Sequence, residues 1–238
     1  MNPVEAVLFD LDGVVIDTRQ SVTDFWLAFA AERNVTLTAA DFEDHILGVP
    51  ASHTLRVLFP DFPAADLPAF RRRIAAYESG LRYVELRGAT AFLRALREAG
   101  VPAALVTSGE KWKVDEVFRQ LGLGGLFDEI VTAQDIRRGK PDPECYVRAA
   151  RRLGVAVSYC VVFEDSVSGV QSAVAAGALC IGVQVGPLAR RLIEVGARHI
   201  VSDFSTLNLT RHKSSEGPHL LHLGGGHELF LQARGVSH

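Results

Sequence analysis

The chain has 238 residues, a formal net charge of −3 and 48% apolar side chains, enough for one large core or two small ones. That charge balance offers nothing to nucleic acid or to an anionic membrane surface, so the expected partners are small molecules. The first residues lack a basic stretch leading into an apolar one, and no uninterrupted apolar segment reaches the length of a membrane span, which leads us to expect a cytoplasmic protein.

The first apolar run, Ala6–Leu11, carries Asp10 near its end, and Asp12 follows just before Gly13. Residues 18–87 then show no strand pattern but several helical ones: "SVTDFWLAFAAERNV", "TAADFEDHILG" with Thr38 as N-cap, "ASHTLRVLF" and "AADLPAFRRRIAAYESGL". We read this stretch as a small helical domain inserted after the first strand. Both of its ends must lie near the end of that strand, so it can act as a lid.

From residue 88 onward, apolar β-rich runs alternate with amphipathic helices. The runs Pro102–Thr107, Glu129–Thr132, Tyr159–Phe163, Leu179–Val185 and His199–Phe204 read as buried parallel strands. Between them lie "ATAFLRALREAG" with Gly100 as its stop, "EKWKVDEVFRQLGL", "PECYVRAARRLG" and "SVSGVQSAVAAG". The alternation predicts a doubly wound α/β sheet over residues 1–17 and 88–210, with ligands beyond the carboxyl ends of its strands.

Residues 211–238 read as a C-terminal extension, with "RHKSSEGP" a loop and "HLLHLGGGHELFLQ" a possible hairpin turning at Gly224–Gly226. We expect it to be peripheral. His212, His219, His222, His227 and His238 crowd this segment, but their spacing matches no helical ligand pair. Cys145, Cys160 and Cys180 form no CxxC pair and read as buried free thiols. The oligomeric state expected is a monomer or a homodimer.

Four stretches bear on chemistry. A carboxylate at the end of a parallel strand lies in the ligand crevice, and a second one two residues on can face the same point. Asp10 and Asp12 would then repel unless a cation lies beside them or one is protonated. Either state suits a nucleophile with a general acid and base, although an Asp before Gly also simply makes a turn. "LVTSGE" places the Thr107 hydroxyl and the free N–H groups at Ser108 at a strand end, where phosphoryl oxygens can bind. "GKPDPECY" puts Lys140 in a loop before a helix, either as a counter-charge or as a solvated lysine. "CVVFEDSVSGV" ends a strand in Glu164 and Asp165, which suit Mg²⁺ as oxygen ligands alongside Asp10. Capping of the next helix by Asp165 or Ser166 is the structural alternative.

The four stretches "DLDGVVIDT", "LVTSG", "GKPDP" and "FEDSVSGV", in that order across residues 4–207, resemble the ordered motifs of the haloacid dehalogenase superfamily. The similar branch is that of phosphatases and sugar phosphomutases with a helical cap. The resemblance implies a Rossmann-like core and a Mg²⁺-dependent reaction on a small phosphate monoester. Asp10 would be the nucleophile, and Asp12 would be the acid and then the base. Thr107 and the backbone at Ser108 would hold the phosphoryl group, with Lys140 tied to Asp10. Asp165, with Glu164 nearby, Asp10 and the main-chain carbonyl of Asp12 would hold the metal.

Hydrolytic dehalogenases of this superfamily lack the second aspartate, so Asp12 argues against dehalogenation. Phosphonate hydrolysis in the family uses a cap lysine, and residues 18–87 contain none. In the β-phosphoglucomutase group, a gating histidine matches Val22 and a phosphate-gripping arginine matches Ala51. The expected function is therefore hydrolysis of a sugar or polyol monophosphate. A phosphomutase is the alternative, and a non-catalytic phosphate-sensing module a more distant one. Glu43, His45, His53 and Arg56 are possible specificity contacts in the cap, the alternative for most of them being plain solvated surface.

Overall fold

The computed structural model describes residues 4–47, 49–210 and 217–233. Six short parallel strands form the central sheet: β1 (Ala6–Phe9), β2 (Ala103–Val106), β3 (Glu129–Val131), β4 (Cys160–Glu164), β5 (Leu179–Val183) and β6 (His199–Val201). Their spatial order is β3-β2-β1-β4-β5-β6. Val7 therefore lies opposite Ala103 on one side and Val161 on the other. The chain leaves β1 for β2 on one flank and later returns to β4 on the opposite flank. That reversal opens a crevice at the carboxyl end of β1, and this is where Asp10 stands.

Both faces of the sheet are buried, which is why its strands read as nearly continuous apolar runs rather than alternating ones. Val7 and Phe9 point into one core, with Phe92, Leu93 and Leu96 of α5 (Ala89–Glu98) and Val114 and Val117 of α6 (Lys111–Leu121). Ala6 and Leu8 point into the other, against α7 (Glu144–Leu153), α8 (Val167–Ala176) and α9 (Pro187–Glu194). Cys145, Cys160 and Cys180 are all buried free thiols, and the last two are on strands of this sheet.

Four helices fill the interval between β1 and α5. They are α1 (Arg19–Ala31), the single turn α2 (Ala39–Asp41), α3 (Ala51–Leu58) and α4 (Leu67–Ser79). Thr38 caps α2 by accepting from the Asp41 N–H at 3.2 Å. The helical pattern of "TAADFEDHILG" takes the form of α2 passing at once into a wide π-helical turn, Phe42–Ile46. These helices gather round an apolar cluster of their own, with Phe25, Trp26, Phe29, Phe59 and Phe70 at its centre. The segments entering and leaving the group run side by side: Asp17 N–H donates to Val84 O, and Leu86 N–H to Val15 O, both at 2.9 Å.

The C-terminal segment is not peripheral. β7 (Asn208–Thr210), β8 (His219–Gly224) and β9 (His227–Leu231) form an antiparallel sheet. Leu221, Leu223, Leu229 and Leu231 are buried in the same core as Phe9 and Phe92. Burying alternate residues of a hairpin gives it a fixed register and a stake in the main core. Of the loop expected over 211–218, residues 211–216, His212 among them, lie outside the described residues, as does His238. His219 meets Ala99 O at 3.0 Å, His222 pairs with Glu228 at 2.9 Å, and His227 packs on His199. No helix of the described residues is long and apolar enough to cross a membrane.

Candidate active site

Asp10 follows the last residue of β1 and is only 8% exposed, with its N–H bonded to Phe163 O of β4 at 3.0 Å. Lys140 reaches it from the loop before α7 and donates to Asp10 Oδ1 at 2.7 Å. The same ammonium donates to Oε1 of Glu164, the wholly buried last residue of β4. Lys140 is therefore not a solvated loop side chain.

Glu164 is held from every side. Its Oε1 also accepts the Tyr146 hydroxyl at 2.7 Å, and its Oε2 accepts the N–H and the hydroxyl of Ser166, each at 3.1 Å. Ser166 in turn caps α8, accepting from Gly169 N–H at 3.0 Å. The capping reading of "FEDSVSGV" thus belongs to Ser166 and not to Asp165. Gly169 is required here because a Cβ at that position would overlap the Glu164 carboxylate. Gly13, at φ +75°, does the same for Asp165, whose Oδ2 occupies the space a Cβ would need.

The electrostatics follow from crowding acids around one cation. Burial pushes the Asp10 carboxyl up to about 7; Lys140 pulls it down, while Glu164 and Asp12 push it further up. Asp165 is raised well above the carboxylate range by burial, and then by Glu164 and Asp10. Burial works against the charge on Lys140, but Asp10 and Glu164 outweigh it and hold the ammonium protonated.

Asp10, Glu164 and Asp165 can each place a carboxylate oxygen within 4.8 Å of the others. Burial and the crowding of three hard oxygen donors around a single lysine raise the Asp10 and Asp165 carboxyls, and a cation among them would relieve that crowding. Both facts suit a divalent cation of the Mg²⁺ type.

Above these groups lies a cavity of about 650 Å³ between the sheet and the inserted helices. Asp10, Asp12, Thr107, Ser108, Lys140 and Asp165 all line it. Thr107 is buried and its hydroxyl oxygen accepts from Gly109 N–H at 2.9 Å, which leaves the hydroxyl proton available.

A model of the haloacid dehalogenase-like hydrolases matches residues 4–177. The chain belongs to that family. It is 36% identical over 192 residues to hexitol phosphatase A of Escherichia coli K12, across 79% of this chain and 87% of that one. To the phosphorylated carbohydrates phosphatase of Thermotoga maritima it is 32% identical over 214 residues, covering 87% and 99%. Among solved structures, a haloacid dehalogenase family hydrolase of Deinococcus radiodurans with bound phosphate and sodium superposes with a TM-score of 0.66. It is 32% identical and is matched over 84% of this chain and 91% of that one.

In this haloacid dehalogenase-like hydrolase, the second aspartate has partners that the motifs do not reveal. Lys113, in the first turn of α6, donates to Asp12 Oδ1 at 2.8 Å and Oδ2 at 3.0 Å. It also donates to Oε1 of Glu78, in the last turn of α4, at 2.6 Å. One signal was available in the sequence: Lys113 stands on the buried face of α6 with Val114 and Val117, where a lysine needs a partner. Tyr146 was likewise hidden in an ordinary amphipathic helix.

The cap contacts considered from sequence are corrected. Glu43, His45, His53 and Arg56 do not line the cavity. His45 and His53 meet each other at 3.3 Å, and Arg56 meets His53 at 3.1 Å. Arg191 of α9 takes the Glu43 carbonyl at 3.0 Å. The helical group instead lines the cavity with Val22, Trp26, Ile46, Ala51, Ile74 and Tyr77.

Proposed function

We propose that the chain is a Mg²⁺-dependent phosphatase that hydrolyses a small phosphate monoester, a sugar or polyol monophosphate, through an aspartyl-phosphate on Asp10. The observation that carries the reading is the buried Asp10–Lys140 contact of 2.7 Å at the base of a cavity wide enough for such a molecule. A carboxylate tied by one oxygen to a permanent cation keeps its other oxygen aimed at an incoming phosphorus atom. The phosphatases of small carbohydrates and polyols among the relatives support the same substrate class.

Each residue then has a task. The Thr107 hydroxyl and the Ser108 N–H hold phosphoryl oxygens, and Lys140 offsets the negative charge that gathers as one anion attacks another. A divalent cation held by Asp10, Asp165 and the Asp12 carbonyl, with Glu164 nearby, would supply Lewis-acid charge to the phosphoryl group. An Asp10 oxygen forms the bond to phosphorus as the ester oxygen departs, and that oxygen takes its proton from Asp12. Water then attacks the same phosphorus and gives a proton to Asp12, and the bond to Asp10 breaks to release phosphate. Glu164 touches Lys140 and orients it. The inserted helices serve as the cap over this chemistry.

Arg19 and Lys140 are the cations lining the cavity among the described residues, and Arg19 is bonded to Gln184. Val22 and Ala51 stand on this lining where a phosphomutase has its gating histidine and phosphate-gripping arginine, which supports hydrolysis of a monophosphate. The test is phosphorus NMR of the protein with a panel of sugar, polyol and glycolate phosphates, with and without Mg²⁺. Inorganic phosphate released from a narrow subset, and only with Mg²⁺, is expected. A phosphate that changes position without release would make the protein a mutase, and no turnover of any compound would leave a binding module.

A further inference from the structure

We propose that Lys113 is a positioning residue that fixes the Asp12 carboxylate and couples its placement to the cap through Glu78. The inference rests on the acid and base role proposed above for Asp12, and it adds two residues that lie outside the family's four motifs.

Three separate segments meet at one ammonium. Asp12 comes from the loop after β1, Lys113 from the first turn of α6, and Glu78 from the last turn of α4. The lysine side chain is 6% exposed. An ammonium has three protons, and three contacts take them: both oxygens of Asp12, at 2.8 and 3.0 Å, and Glu78 Oε1 at 2.6 Å. Lys113 does not line the cavity, whereas Asp12 and Glu78 do. It is therefore placed to act on Asp12 from behind and not on the substrate.

The arrangement has a mechanical consequence. Glu78 stands two residues before Gly80, close to the point where the chain returns from the cap along Val84–Leu86. Any rocking of the cap about its paired connectors carries Glu78 towards or away from Lys113. The lysine then either shares its protons between the two carboxylates or turns wholly to Asp12. The carboxylate that must meet the leaving oxygen is thereby set by whether the cap is seated. Burying an ammonium is costly unless it is paired, and the carboxylates of Asp12 and Glu78 are what allow Lys113 to stand on the apolar face of α6.

A plain latch between cap and core would use the same three residues, so the test must read the chemistry. The measure is kcat/KM, which covers events up to departure of the leaving group. It is compared for phenyl phosphate, whose basic phenoxide leaving group gains from a proton, and 2,4-dinitrophenyl phosphate, whose leaving group does not. Asp12→Asn sets the scale, with a loss on the order of 100-fold on the first substrate and only a few-fold on the second.

Lys113→Met is expected to lose about tenfold or more on phenyl phosphate while staying within about threefold on the dinitrophenyl ester. Adding Glu78→Gln to it should cost nothing further, because both act through one ammonium. If Lys113→Met does not fold, the double variant, which removes the buried ammonium together with the Glu78 charge that faces it, is read by the same criterion. Equal losses on the two esters, or additive losses in the double variant, would overturn the coupling and leave a latch. If Asp12→Asn itself fails to discriminate between the esters, the acid role of Asp12 falls and this inference falls with it.

Discussion

Replacing Asp10 by asparagine is expected to stabilise the protein in the absence of divalent cations, increasingly so as the pH rises. Burial, opposed by Lys140 and reinforced by Glu164 and Asp12, lifts this carboxyl from 3.8 to about 7 in the folded protein. The folded state therefore keeps a proton that the unfolded chain gives up near its ordinary value. Where the folded state binds more protons, stability falls as pH rises. The loss begins near the unfolded value and is complete once pH passes the folded one. The window spans about three pH units at about 1.4 kcal/mol each, or roughly 4 kcal/mol at full extent. At 8% exposure Asp10 has little solvent to screen it. An asparagine in its place mimics the protonated form at every pH, so the gap between variant and native protein isolates this one group. Urea denaturation with a chelator present, from about pH 4 to about pH 8, should show that gap opening in favour of the variant. Mg²⁺ should then close part of it, since a ligand at a hundredfold excess over its Kd adds about 2.7 kcal/mol to the form that binds it. A gap that stays constant with pH, or a variant less stable than the native protein at the upper end, would refute the reasoning.

Three further substitutions probe the surroundings. Gly169→Ala forces a methyl group into the Glu164 carboxylate, which four hydrogen bonds hold in place, so a loss of about 1–3 kcal/mol is expected in thermal unfolding, with a fall in phosphate release. Tyr146→Phe removes a hydroxyl donated to Glu164 at 2.7 Å; it should cost about 1–3 kcal/mol and lower kcat more than it raises KM, because Glu164 orients Lys140 and not the substrate. Leu221→Ala, at a wholly buried position of the C-terminal hairpin, should cost about 2–5 kcal/mol with turnover per folded molecule unchanged, and a change under about 0.5 kcal/mol would return that segment to the periphery.

The parallel sheet was legible because strands buried on both faces leave uninterrupted apolar runs, and because chemistry in this architecture collects at their carboxyl ends. Asp10, Thr107, Glu164 and Asp165 all follow from that one rule, since β1, β2 and β4 are neighbours. Lys140 needed the family resemblance, because a lysine in a Gly/Pro loop has no local sign of its partner. The pairing of Asp12 with Lys113 is harder still: the residues stand 101 positions apart, and the only trace is a lysine on the buried side of a helix. The cap residues went astray for a related reason. Glu43, His45, His53 and Arg56 attract attention by their polarity, whereas the cavity is lined by apolar side chains such as Val22, Ala51 and Ile74; the family resemblance marked the first two, and Ile74 carries no sign beyond packing. The C-terminal hairpin showed its turn in three consecutive glycines, but its place in the main core depends on leucines joining the cluster that holds Phe9 and Phe92, far along the chain.

The central claim is that Asp10 carries the phosphoryl group. The direct measurement uses Asp12→Asn, which should retain attack but be slow to release the product. The variant is mixed with Mg²⁺ and 2,4-dinitrophenyl phosphate, quenched in acid, reduced with borohydride and mapped by peptide mass spectrometry. An acyl phosphate on Asp10 is reduced to homoserine at that position, and this is the result the account predicts. Phosphate release accompanied by an unmodified Asp10, with no other carboxylate reduced, would mean that water attacks the ester directly and would contradict it.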